Sequence, residues 1–179
     1  MGQYGTYHTH PKNVLIHIIF VPILLFTMSS LGANVVFSTV YPEYLNLSTL
    51  IMSIYATLYV LLEPVAGGLI APFVVLQSLV GSWCVQQPWG TDFNKIAGVV
   101  QVSSWIFQFI GHGVFEKRAP ALLDNLVQAL FLAPLFVWLE VMFSFGYRPE
   151  LKVRLAEKVK VARAKLDAKK AAAKGKKAN

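Results

Sequence analysis

Charge is scarce in this chain. Asp, Glu, Lys and Arg make up 14% of its 179 residues, against about 25% in an ordinary soluble domain, while hydrophobic residues make up 55% and the mean hydropathy is +0.53. That shortage excludes a conventional soluble surface and implies a membrane setting. Cysteine is nearly absent as well. Cys84 stands alone, which excludes an internal disulfide and any cysteine-rich metal centre, so a metal here would need histidine and carboxylate. Cys84 itself reads as a packing residue. The chain also lacks a glycine-rich phosphate loop, a serine-nucleophile elbow and a repeat of fixed period, which removes the common nucleotide-binding, hydrolase and solenoid readings. The Gly67-Gly68 pair after Glu63-Pro64 reads instead as a turn or a close-packed helix start.

Apolar segments dominate what is present. They run over Val14 to Val40, Leu47 to Leu62, Val65 to Val85, Ile96 to Phe115 and Leu122 to Phe145, and a bilayer crossing takes about 20 apolar residues. The expected fold is therefore all-α: a polytopic membrane helix bundle of four to five apolar helices, followed by a basic amphipathic C-terminal helix. The first segment does not read as a cleavable signal, because the residues before it carry a single lysine and no small-residue cleavage site follows a short apolar core.

Positive charge is confined to one end. Twelve of the sixteen Lys and Arg lie from Arg148 onward with three acids, so that tail carries +9 and residues 1–147 carry −2. The expected organisation is a membrane-embedded catalytic domain over 1–147 and a basic cytosolic tail over 148–179. Within the tail, Leu151, Leu155, Val159, Ala162 and Leu166 recur every three or four residues among lysines and arginines, the pattern of a helix on an anionic membrane surface. The plainer alternative is a solvated charged end that fixes topology. Nucleic acid is not expected as a partner, because the tail has no aromatic residue to stack on bases beyond Tyr147 at its start. The terminal Lys176-Lys177-Ala178-Asn179 resembles a dilysine retrieval signal of endoplasmic reticulum membrane proteins, which would bring a coat protein to Lys176 and Lys177; lysine-rich tails also produce such a match by chance.

Against this apolar background the ionisable side chains stand out. Gln101, Gln108, His112 and Glu116 advance by seven, four and four residues, which keeps them on one face of a helix. In lipid such a stripe must turn inward, to pair, to bind an ion or to line a substrate path. The other three histidines, His8, His10 and His17, lie near the start. Pro11 is placed to open a helix, which puts Asn13 and His17 one turn apart on one face, with Pro22 bending the helix just beyond. A lone histidine in such a place is more often a hydrogen-bonded structural residue, but two clusters that meet change the balance. They share a membrane face only if an even number of crossings separates the first and fourth apolar segments, and a tight hairpin at Glu63-Pro64 satisfies that condition. His8, His17, His112 and Glu116 could then form one site. Histidine and carboxylate suit ferrous iron with dioxygen, or zinc with a bound water, and ligand type does not choose between them. Lys117 and Arg118 would hold a substrate carboxylate or anchor the helix end among headgroups.

Two stretches are specific enough to compare. Tyr7-His8 with Pro11-Lys12-Asn13-Val14-Leu15-Ile16-His17, and Trp105 through Arg118 continuing over Pro120-Ala121-Leu122, Asp124-Asn125-Leu126-Val127-Gln128 and Ala133-Pro134, resemble the Mpo-type 2-hydroxy fatty acid dioxygenase family of the endoplasmic reticulum. The resemblance implies an iron(II)-dependent enzyme of fatty acid α-oxidation, which shortens a long-chain 2-hydroxy fatty acid by one carbon with dioxygen and in yeast-like members serves phytosphingosine breakdown. It maps the metal-binding histidines onto His8, His17 and His112, with His10 at a position where relatives can differ. Glu116 is then either a ligand or the acceptor that orients His112; Asn13, Gln108 and Asn125 are supporting hydrogen-bond partners, Asn125 on the substrate side, and Lys117 or Arg118 neutralises the fatty acid head. Glu63 reads as a hairpin-turn residue. Five crossings with a cytosolic tail would put the histidines in the lumen, against the charge of Lys117 and Arg118; a bend at Pro134 would give four crossings with the site and both termini cytosolic. The rival readings are a non-enzymatic lipid carrier or scaffold and a zinc-dependent lipid hydrolase.

Overall fold

A computed structural model of the chain describes residues 10–116 and 126–175. The described residues are helical throughout their long elements: α1 (Pro11–Gly32), α2 (Leu47–Leu62), α3 (Pro64–Gln86), α4 (Gly90–Ile110), a π-helical turn π1 (Gly111–Glu116), α5 (Leu126–Ser144) and α6 (Pro149–Gly175). The all-helical expectation is met, and no β-strand occurs among the described residues beyond an isolated bridge of Val36 with Asn46.

Local chemistry sets the element boundaries. Pro11 and Pro64 open α1 and α3, where a missing N–H costs nothing. Asn46 caps α2 through a reciprocal box with Thr49, and the Glu63 carboxylate caps α3 by accepting from the Ala66 N–H at 2.7 Å. The first apolar segment, expected to run to Val40, leaves the helix at Gly32. Residues 33–46 instead form a loop held by Leu47 N–H to Val35 O at 2.9 Å and Phe37 N–H to Leu45 O at 2.8 Å, and the Asn34 side chain donates to Leu31 O at 2.9 Å, satisfying a carbonyl that the helix end leaves open. The Ile96 to Phe115 segment is likewise redistributed: its helix begins earlier, at Gly90, and its last residues enter π1.

Close packing of small residues aligns the helices. Ser30 lies against Gly81, where a methyl group would collide with its hydroxyl, and Asn46 Nδ2 donates to Ser82 Oγ at 3.0 Å, so the end of α1 meets the start of α2 and the end of α3. The Phe20 and Phe107 rings stack at 4.6 Å and Thr27 pairs with Gln101, which runs α4 antiparallel to α1. The start of α1, the α2–α3 hairpin tip and the end of α4 therefore gather at one end of the bundle. At the tip, a side chain at Gly67 would strike the Tyr59 carbonyl, whereas Gly68 faces open space; of the two sequence readings of this pair, the close-packed helix start is the one realised.

α5 returns to the same tip along its length. The Tyr59 hydroxyl donates to Phe131 O at 2.9 Å, Trp138 Nε1 donates to Ala66 O at 3.0 Å, and the Tyr147 hydroxyl reaches Glu63 at 3.2 Å. The Phe131 ring also lies 4.1 Å from that of Tyr55 on α2, and Trp138 lies 6.5 Å from Phe73 on α3, so α5 packs across both helices of the hairpin. The core lies here, around Met52, Tyr59, Ala66, Leu135 and Leu139.

The outer surface is as apolar as the core. Leu61 is 73% exposed, Phe73 64% and Val99 66%, a distribution that water does not tolerate over large areas. α1 and α3 are long and apolar enough to cross a membrane, and α2 and Leu130–Ser144 are shorter apolar helices. This is the pattern of a membrane protein.

Candidate active site

The site forms where α1 begins and α4 ends. His10 caps α1, its ring Nδ1 accepting from the Lys12 N–H at 3.3 Å, and its own backbone N–H donates to Glu116 Oε1 at 2.7 Å. Asn13 Nδ2 reaches the same carboxylate oxygen at 3.5 Å. A carboxylate at the amino end of a helix is also favoured by the helix dipole. Glu116 thus ties π1 to the first turn of α1, across most of the chain length.

One turn along α1, His17 Nδ1 lies 2.9 Å from Asn13 O. A carbonyl can only accept, so Nδ1 carries the proton and Nε2 carries the lone pair, the tautomer a metal ligand needs. The His112 ring meets it edge to face, with centroids 4.9 Å apart and planes at 79°. Asn13 (0% exposed), His17 (3%), His112 (4%), Glu116 (6%) and Gln108 (7%) are all buried, although polar side chains of this kind ordinarily seek water.

The π-helical turn was not legible in the sequence, where His112 and Glu116 read as the end of an uninterrupted α-helix. The wider turn starts at Gly111, packed so closely on Asn13 that a methyl group there would collide with Oδ1. Such turns occur frequently at functional sites because they re-aim side chains without ending the helix. Phe115, also on π1, stacks on the His10 ring with centroids 5.3 Å apart, and Lys12 Nζ lies 5.6 Å above the Phe115 ring. Sequence reading passed over Phe115, since an aromatic residue in an apolar run gives no signal of its own.

The polar stripe divides. Gln101 is engaged within the bundle by Thr27, with its amide oriented to donate to Leu24 O at 3.1 Å and accept from Trp105 Nε1 at 3.2 Å, whereas Gln108, His112 and Glu116 continue to the site end. Glu63 is more than the expected turn residue: besides capping α3 it accepts from the Tyr147 hydroxyl and pairs with Arg148. Burial would raise this carboxyl, but the Ala66, Tyr147 and Arg148 hydrogen bonds outweigh it and hold it below the usual carboxylate range. Cys84 is buried, as a packing residue should be. His8, Lys117, Arg118, Asn125, Lys176 and Lys177 lie outside the described residues.

The donors suit a divalent transition metal in part. His17 and His112 present two imidazoles side by side, but among the described residues no group of three His, Cys, Asp or Glu is arranged as a complete ligand set.

Comparison with known proteins gives the family of the chain. The family model described as 2-hydroxy-palmitic acid dioxygenase Mpo1-like matches residues 1–145. The chain belongs to this family. It is similar to 2-hydroxy-palmitic acid dioxygenase MPO1 of Saccharomyces cerevisiae, with 39% identity over 161 residues that cover 90% of this chain and 88% of the yeast protein. The matched region of the family contains every site residue described above. No solved structure matches the chain.

Proposed function

We propose that this protein is a membrane-embedded dioxygenase that converts long-chain 2-hydroxy fatty acids to fatty acids one carbon shorter, with the carboxyl carbon leaving as carbon dioxide. The observation that carries the reading is the buried His17–His112 pair, braced by Asn13 and Glu116, in a chain akin to a protein named for 2-hydroxy-palmitic acid. The reaction balances with dioxygen as the sole oxidant: the C1–C2 bond breaks, C2 becomes the new carboxyl, and one oxygen atom ends as water.

The cofactor this reading calls for is ferrous iron, which His17 and His112 would hold with His8 as third ligand. Bound iron would supply activation of dioxygen beside the carbon that is oxidised. The protein's own groups do the rest. The Asn13 carbonyl fixes the His17 tautomer, Glu116 holds the His112 turn against α1, and Gln108 lies one turn from His112 as a hydrogen-bonding group. Lys117 or Arg118 would receive the substrate carboxylate, Asn125 would serve as a hydrogen-bonding partner of the substrate, and the acyl chain would lie among the apolar helices. The topology that goes with this reading is four crossings, with a bend at Pro134 and with the site and the tail on the cytosolic side of the endoplasmic reticulum membrane. There the terminal lysines would meet a coat protein.

The test is an assay of protein purified anaerobically in detergent, reconstituted with ferrous iron and given a long-chain 2-hydroxy fatty acid. The expected result is the one-carbon-shorter acid only with both iron and dioxygen present, and its loss in His17→Ala and His112→Ala at unchanged abundance. No shorter acid, with zinc-supported and dioxygen-independent cleavage of a lipid ester or amide in its place, would assign a hydrolase; a folded sample that binds no iron and gives no product would assign a carrier.

A further inference from the structure

We propose that α6 is an arm for anionic phospholipid headgroups, lying on the membrane surface on the side of the bundle where the candidate active site sits. The inference rests on the membrane reading of the bundle and is independent of the chemistry at the histidines. Its first support is where the arm is rooted. Arg148 and Tyr147 are bound to Glu63 at the α2–α3 hairpin tip, the end of the bundle that also holds Asn13 and His17, and Leu151 and Leu155 pack against the core. The root is thereby fixed in place and side.

Beyond the root, the same stripe continues along the helix as Val159 and Ala162, both half-buried. At 100° per residue, Lys152 falls along one flank of this stripe and Arg154 and Lys158 along the other, with Lys160 on the outer face. An apolar strip bordered by cations on both sides fits a helix lying flat, its strip toward the acyl boundary and its lysines reaching headgroups. The described cations Lys152, Arg154, Lys158 and Lys160 are exposed, and Arg148, Glu150 and Arg154 line an open cleft of about 280 Å³ at the root. The helix has 27 residues, about 40 Å in length, enough to track several headgroups.

Charge complementarity selects this occupant over the others. A tail of +9 opposes a second copy of itself, and from Arg148 onward it contains no aromatic residue on which bases could stack, Tyr147 just before it being packed against the core. An anionic bilayer is the counter-surface a membrane-anchored cationic helix meets at high local concentration.

The test uses the full chain with Val159→Cys in a Cys84→Ala background, labelled with an environment-sensitive fluorophore and reconstituted in nanodiscs carrying a lipid quencher at the acyl boundary. Quenching should be roughly threefold or more stronger with about 30% phosphatidylserine than in phosphatidylcholine alone, and about 0.5 M salt should remove the difference. Replacing Lys152, Arg154, Lys158 and Lys160 together by Gln should remove it too, with helix content checked by circular dichroism. Equal quenching in the two lipids, or an unaltered response in the four-residue variant, would overturn the proposal while leaving the embedded bundle standing. A change seen only on adding single-stranded RNA would also overturn it, in favour of nucleic acid. Failure of the protein to enter discs of either composition would overturn the membrane reading, and this proposal with it.

Discussion

At Gly111 the absence of a side chain is a structural requirement, because the space that Cβ would occupy is taken by the Asn13 amide. Gly111→Ala is expected to push Asn13 off Glu116 and lower dioxygenase activity roughly 10- to 100-fold, since small displacements of a positioned group carry losses of this order. Gly113, on the same turn, faces open space, so Gly113→Ala should leave activity near that of the parent; equal losses in both variants would show that the turn's geometry, not the Asn13 contact, is what matters. Glu63 offers a second test at this scale. Its carboxyl lies below the ordinary range when folded, so the native state binds fewer protons than the unfolded chain there. The stabilisation is present above the unfolded carboxylate value of about 4.3 and is lost as pH falls through the lower folded value. Thermal melts in detergent from about pH 6 to about pH 3 should show a steeper loss for the parent than for Glu63→Gln; parallel curves would refute the assignment.

Among the elements, the α2–α3 hairpin and α5 depend on each other. The Tyr59 hydroxyl serves the Phe131 carbonyl in the turn preceding Pro134, where proline withholds a backbone donor and loosens the helix. Tyr59→Phe removes that bond without changing the ring, and is expected to destabilise the protein by about 1–2 kcal/mol in chemical unfolding. Gly67→Ala should cost more, about 2–3 kcal/mol, because the clash is with the Tyr59 backbone, which cannot rotate away. Gly68→Ala, facing open space, should be neutral or stabilising by a few tenths of a kcal/mol. A Gly67→Ala protein as stable as its parent would mean that the two helices are not packed this closely.

Across the whole molecule, the arrangement is a helix bundle with an apolar exterior, in which the buried histidines and Glu116 gather at one end and a buried cluster of serines with Asn46 at the other. Removal of metal by a ferrous-iron chelator should abolish activity without unfolding the bundle, because the site is also held by metal-independent contacts of Glu116 with the His10 N–H and Asn13. Circular dichroism and a thermal melt of chelated protein provide the check. Large loss of helix on chelation would make the metal part of the fold.

Composition and short-range periodicity determined the helical class, the apolar exterior, the separation of the basic tail and the pairing of His112 with Glu116 on one face, because each of these depends on residues within a few turns of one another. The tight hairpin at Glu63-Pro64 was legible for the same reason, and with it the parity that returns His112 to the level of His17. Only the tertiary structure decided which side chains meet: the ring contact of His17 with His112, the Glu116 bond to the His10 N–H, the clamp of Tyr147 and Arg148 on Glu63, and the packing of α5 across the α2–α3 hairpin. It also decided that the turn after α4 is a π-helix, with Gly111 seated on Asn13. These features join residues far apart in the chain, and their geometry follows from how closely glycine and serine let helix backbones approach, which no local pattern encodes.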